Sequence, residues 1–275
     1  LDELCERAWV DKEDVVRVAR TYATSHPAAI QWGVALDQQT GGQQAAHAIT
    51  AMWCITGNLD IPGGNVMADA CWGIEQPNWV GTWGWDELMT PEEQAKRIGI
   101  ERYPMFAVGF KNLSSNATIE AWQRGEIPIH AAYIVTNNFL ATMGAQAEQQ
   151  LEWYKQIDFI VVEDLFMTPT MMALADVVLP AATYEERDGV GGPNAYRISC
   201  INKAIEPVGD SKPDNTIFLE LGKRLTHAIK PENDDIAWPW DNVQEMWDYA
   251  LEDGGFTWEE LRDATWKYPE FKYRK

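Results

Sequence analysis

Three apolar runs in this sequence each end in side chains able to hold a polar ligand. "AAYIVTNNF" closes on Asn137 and Asn138, "FIVVEDLF" on Glu163 and Asp164, and "ADVVLPAATYEERDGVGG" on Pro180 followed by Glu185 to Gly189. A carboxylate such as Asp164 accepts from paired donors, of the kind a ribose diol or the N1–H and N2–H₂ edge of a guanine presents. The Asn137 amide donates and accepts at once. Arg187 or Arg197 would neutralise a phosphate, and Gly189, Gly191 and Gly192 let the backbone turn or approach a ligand closely. Together these residue types suit a ligand with a nucleobase and a sugar. Singly they are ambiguous, because a carboxylate at a strand end also caps the helix that follows.

The elements that must carry these groups are legible in the pattern around them. Strands are predicted over Ala131 to Thr136, Phe159 to Val162 and "DVVLP", the last reading as a strand covered on both faces and ended by Pro180. Helices are predicted in "NATIEAWQRGEIP", "GAQAEQQLEWYKQI" and "TPTMMALA", with Pro169 in the first turn of the last. Strands alternating with helices at this spacing form βαβ crossovers and a parallel sheet, whose ligands gather outside the carboxyl ends of the strands. The fold class is therefore α/β, a Rossmann-like parallel sheet with flanking helices, joined to an irregular Trp-rich loop and tail.

Towards the N-terminus, Asp11 is placed to cap a helix over "VDKEDVVRVARTYATSH". A strand is expected at Ala28 to Val34, then a glycine loop, then a helix over "QQAAHAITAMWCITGN" closed by Gly57. Residues 68 to 113 read as a long irregular excursion with short helices near "TPEEQAKRIG". Asp214 is placed to cap a helix running to about Leu225. The tail is helical in pieces, its tryptophans packing on the chain's own core or on other domains, or forming a sugar platform.

Composition excludes several classes. The chain has 275 residues, 22 basic against 42 acidic, and a formal charge of −20, which disfavours nucleic acid and anionic membrane surfaces as partners. No apolar run approaches the roughly 18–20 residues of a membrane span. The four cysteines form no C-x-x-C pair and the four histidines show no ligand spacing, so no metal site is expected within the chain. No Ser/His/Asp signature, nucleophile elbow or phosphate-binding loop is present, and no catalytic residue can be named. A helix that begins within a few residues of the start reads as the interior of a longer polypeptide.

Four blocks in order over roughly residues 10 to 225 resemble the molybdopterin oxidoreductases of the dimethyl-sulfoxide-reductase type. They are "QWGVALDQQTGGQQAAHAITAMWCITGNLDIPGGNV", "AAYIVTNNF", "FIVVEDLFMTPTMMALADVVLPAATYEERDGV" and "NAYRISCINKAIEPVGDSKPDN". The third is the most specific. The resemblance implies a bis(molybdopterin guanine dinucleotide) cofactor carrying molybdenum or tungsten, contacted by Trp32, Gln38, Asn137, Glu163, Asp164, Arg187 and Asp214. It also implies a 4Fe-4S cluster, expected only in a preceding N-terminal part together with the ligand to the metal. The chain departs from many relatives in having "TNNF" where they show G-x-N-P, and "NAYR" where they show N-x-E-G-R.

On this reading residues 1–66 are the C-terminal part of one α/β pterin-binding domain. Residues 67–225 form a second α/β domain that binds the guanine dinucleotide, and 226–275 are a Trp-rich helical tail. The expected activity is redox, oxygen-atom or hydroxyl chemistry on a small substrate. Its partners would be the remaining domains of the same polypeptide and an iron–sulfur electron-transfer subunit, in a bacterial or archaeal periplasm or cytoplasm. Two alternatives stand beside it: a cofactor-less scaffold like the iron–sulfur subunit of respiratory NADH dehydrogenase, and a stand-alone nucleotide-binding module.

Overall fold

The computed structural model describes residues 1–37, 39–66, 90–103, 115–194, 197–229, 240–252, 255–264 and 266–267. The chain divides into two compact units, Leu1–Ala70 with Pro269–Lys275 and Cys71–Tyr268.

In the first unit, helices α1 (Asp2–Ala8), α2 (Lys12–Thr24), α3 (Val34–Asp37) and α4 (Gly42–Ile55) follow one another. Asp11 caps α2 as expected, its Oδ1 accepting from Glu13 N at 2.7 Å, and Gly57 turns the chain after α4 in the left-handed region at φ 73°. The strand expected at Ala28 to Val34 does not form. Ala28 N donates to Asn58 Oδ1 at 3.0 Å, Ile30 N donates to Asn65 Oδ1 and Asn65 Nδ2 to Ile30 O, both at 2.8 Å. Two asparagine side chains thus replace a neighbouring strand, and no ladder is built. The turn from α3 into α4 closes only on glycine, since a Cβ at Gly42 would sit 1.9 Å from Leu36 O.

In the second unit, α5 (Pro91–Ala95) and α6 (Ser115–Gln123) precede a parallel sheet of β1 (Ala131–Val135), β2 (Phe159–Asp164) and β3 (Val177–Pro180), in that order. Between the strands lie α7 (Phe139–Thr142), α8 (Ala147–Tyr154) and α9 (Pro169–Leu174). The register sets Tyr133 against Val161, Val135 against Glu163, Glu163 against Leu179 and Asp164 against Pro180. Alternation then sends Ile134, Ile160 and Val162 to one face, where they pack with Phe139, Ile157, Met171 and Leu174. Burying each such branched side chain is worth roughly 1.5–3 kcal/mol. α9 starts where its sequence signals it, with Thr168 Oγ1 accepting from Met171 N at 3.2 Å and Pro169 in the first turn.

Two expectations for the region after β2 need correction. β3 is not covered on both faces, for Val177 and Val178 are 38% and 43% exposed. It is the last strand of its sheet, met beyond only by a single bridge between Ala181 and Lys212. The glycines, expected to let the backbone turn or approach a ligand closely, do not form a turn but lie in a strand, β4 (Gly189–Asn194), antiparallel to β5 (Arg197–Ile201). The tail helices α11 (Val243–Leu251) and α12 (Trp258–Ala264) pack Trp247, Leu251, Phe256, Trp258 and Leu261 against Val190 and Cys200 of this hairpin. The tail tryptophans thereby become the core of the hairpin. Between hairpin and tail runs α10 (Asp214–Ile229), brought beside β3 by Lys212, whose N–H donates to Pro180 O at 3.1 Å.

Candidate functional site

The carboxyl ends of β1 and β2 lie side by side, because Thr136 N donates to Glu163 O at 2.9 Å. Thr136 has φ 49°, a left-handed conformation that a β-branched residue adopts only when its surroundings force it. Beyond it Asn138 is fixed inward, its Oδ1 accepting from Thr170 Oγ1 at 3.0 Å and from Thr170 N at 3.4 Å. Thr170 is fully buried, and its Oγ1 accepts in turn from Leu140 N at 3.1 Å. Asn137, by contrast, is exposed and its amide makes no hydrogen bond to the described residues. Of two adjacent asparagines, one is built into the loop and the other is bonded to none of the described residues.

Asp164 ends β2 and is 9% exposed. One carboxylate oxygen accepts from Leu165 N at 2.7 Å, and the other takes no hydrogen bond from the described residues. Its neighbour Glu163 points to the opposite face and is fully buried. The Tyr133 hydroxyl, diagonally across from β1, donates to Glu163 Oε2. Asp214, opening α10, is in contact with this carboxyl. Burial first, and then the Asp214 carboxyl, push Glu163 up to about 7 against the opposing effect of the tyrosine bond. The Tyr133 hydroxyl is raised as well, by burial and then by its carboxylate partner.

Arg187 follows the turn Tyr184–Glu186, half-buried, and forms no ion pair with the described residues. Gly189 keeps space beside it, since a Cβ there would lie 3.2 Å from the guanidinium. The turn before it is a capping box that the sequence reading missed, although Thr183-x-x-Glu186 is its written signal. Buried Glu186 accepts from Thr183 N at 2.7 Å, Thr183 Oγ1 at 3.0 Å and Val208 N at 3.0 Å. These donors, the Thr183 N–H foremost, hold its carboxyl below the usual carboxylate range. Glu186 is therefore a structural anion that sets the exit of the loop. Tyr133, invisible as a site residue in the sequence, is found only through its partner.

Among the sequence-predicted residues, Asn137, Glu163, Asp164 and Asp214 converge on the carboxyl ends of β1 and β2. Trp32 lies in the first unit, 37% exposed and stacked on Trp53 with ring centroids 5.2 Å apart. Gln38 lies outside the described residues. Among the described residues no group of three or more His, Cys, Asp or Glu side chains is arranged to hold a metal ion. No helix there is long and apolar enough to cross a membrane. Among the described residues, the strand ends present a carboxylate oxygen and an amide that make no hydrogen bond, one able to accept and the other to donate and accept.

Comparison with known proteins gives the same fold and places it in a larger frame. The chain is 29% identical over 250 residues to formate dehydrogenase H of Escherichia coli, covering 87% of this chain and 32% of that protein. It is 29% identical over 230 residues to the F420-dependent formate dehydrogenase subunit alpha of Methanocaldococcus jannaschii, covering 80% and 32%. The solved acetylene hydratase of Pelobacter acetylenicus superposes with a TM-score of 0.77 at 22% identity, over 98% of this chain and 39% of that one. The chain thus spans between about a fifth and a third of the length of the curated relatives it matches. The family model of the molybdopterin oxidoreductases matches residues 3–224, and the chain belongs to that family.

Proposed function

We propose that the chain is the central cofactor-binding portion of a molybdenum or tungsten oxidoreductase acting on a small substrate. The carboxyl ends of β1 and β2 would hold one guanosine of a bis(molybdopterin guanine dinucleotide). Asp164 and Asn137 would meet the guanine edge or ribose, Asp214 would reach the crevice from the opposite face, that of Glu163, and Arg187 would meet the pyrophosphate. The family resemblance also assigns Trp32 and Gln38 to such a cofactor. On the domain scheme, residues 1–66 belong to one pterin-binding domain, 67–225 to the domain of this guanosine, and 226–275 to a tail. When bound, the metal would supply the two-electron chemistry, and the chain's own residues would orient the cofactor that carries it. An iron–sulfur cluster and an electron-transfer subunit would complete the path, as in the wider family.

The observation that carries the reading is Asp164. Its second carboxylate oxygen and the Asn137 amide take no hydrogen bond from the described residues, whereas Asn138, Thr170 and Glu186 are all committed. The test is the metal content of the full-length polypeptide and the GMP released from it by acid. GMP in a two-to-one ratio to molybdenum or tungsten supports the reading; absence of both leaves a scaffold. Asp164→Ala should lower cofactor occupancy far more than it lowers folding, and a variant with full metal content would remove Asp164 from the site.

A further inference from the structure

Glu163 is a carboxyl at the centre of a polar site, yet it has no path to a ligand. It is fully buried, and Tyr133 O–H occupies its Oε2. Its Oε1 is also buried and meets no N–H or O–H donor. Glu163 is also in contact with the Asp214 side chain, itself a carboxyl. Two ionised carboxylates offer only acceptors to each other, so their contact becomes a hydrogen bond only when one of them keeps a proton. The ionisable groups around Glu163 are few. β1 contributes Tyr133 and α10 contributes Asp214, while the directly opposite Val135 and Leu179 carry none, and α9 carries none. Asp164, next along β2, projects to the other face.

We propose that Glu163 is a positioning residue that keeps its proton in the folded enzyme, accepting from the Tyr133 hydroxyl and donating to Asp214, and so fixes the Asp214 carboxylate at the guanosine crevice. The proton resides on Glu163 rather than Asp214 because Glu163 is the more deeply buried of the two, and burial disfavours the charged form. The shift of Glu163 to about 7 points the same way. Asp214 lies at the half-buried start of α10, where the helix N-terminus favours negative charge. The chain of contacts runs from β1 through β2 to α10, holding the helix that carries Asp214 against the strand ends.

The inference rests on the guanosine reading above, and glutamine provides the discriminating substitution. Its Oε1 accepts from Tyr133 and its Nε2 donates to Asp214, as a protonated glutamate does. In full-length enzyme, Glu163→Gln should retain GMP and metal within about twofold of wild type, whereas Glu163→Ala and Asp214→Asn should each lose about fivefold or more. Cofactor retention in wild type should fall as pH rises through about 7, where Glu163 would ionise against Asp214, and Glu163→Gln should abolish that fall. A Glu163→Gln protein as depleted as Glu163→Ala, or one that keeps the wild-type pH profile, overturns the proposal. So does Asp214→Asn retaining cofactor while Glu163→Gln loses it, which would put the proton on Asp214. Wild-type protein without GMP would instead remove the guanosine reading, and with it the positioning role. The protonated carboxyl remains separately testable, as an infrared carboxylic-acid band near neutral pH that Glu163→Gln removes; its absence from wild type overturns the proton assignment.

Discussion

Glu163 and Glu186 lie in neighbouring regions of the same unit, both buried, and their surroundings drive them in opposite directions. At the end of β2, Glu163 meets one phenol, one carboxyl and apolar strands, and its pKa rises. In the turn after β3, Glu186 meets two N–H groups and a hydroxyl, and its pKa falls. Depth alone does not decide the charge of a buried acid. The count of donors aimed at it does, and that count separates a structural anion from the carboxyl we propose to carry a proton beside the candidate site.

The difference can be broken at several points. The largest effect should come from Glu186→Ala, which strands three donors at once: melting temperature and soluble yield should drop more than for any other change named here. Thr170→Val should follow. It deletes the hydroxyl shared by Asn138 and Leu140, with an expected loss of about 1–3 kcal/mol in denaturant unfolding and a fall in GMP content as the Asn137 loop loosens.

The pH profile should separate the two acids without any substitution. A raised folded pKa means that native Glu163 binds a proton more tightly than the unfolded chain does. Its contribution to stability is therefore present in acid and is lost as pH climbs from about 4.5 through about 7. Glu186, with its pKa lowered from 4.5, has the opposite sign: its contribution is present above the unfolded value and is lost as pH falls below it. Melting temperatures across this range should slope accordingly, with Glu163→Gln flattening only the neutral limb and Glu186→Gln only the acid limb. The smallest effect belongs to the far end of the same strands. His130 and Asp158 pair there at 2.8 Å but are 75% and 73% exposed, so His130→Ala should cost no more than about 1 kcal/mol and leave GMP content unchanged.

The parallel sheet was readable because its information is local. "AYIV", "FIVV" and "DVVL" are dense in β-branched residues, and Thr168 and Pro169 announce the helix between the last two. The hairpin was hidden because glycine carries no alternation; nothing in "GVGG" reveals a face, and its apolar cover comes from Trp247 and Trp258, far along the chain. At Ala28 to Val34 the composition suits a strand, but the hydrogen-bond partners are side chains some thirty residues away. For the candidate site, Asn137 and Asp164 are proposed from their positions at strand ends. The link from Tyr133 through Glu163 to Asp214 was not legible, because it crosses three elements and exists only once they are packed.

The asparagine pair beside residues 28–30 has a consequence of its own. A carboxamide is a peptide group detached from a chain, and Asn65 offers Ile30 the same donor and acceptor that one residue of an adjacent strand would offer. Such a rung cannot be repeated, because a side chain has no next residue. An exposed extended segment ordinarily presents a template on which a foreign polypeptide can grow a sheet. Here that side is already filled, by two residues that end the ladder in the act of starting it. Asn65→Ala would do more than loosen a loop: it would uncover a docking edge, turning a local contact into a route to self-association.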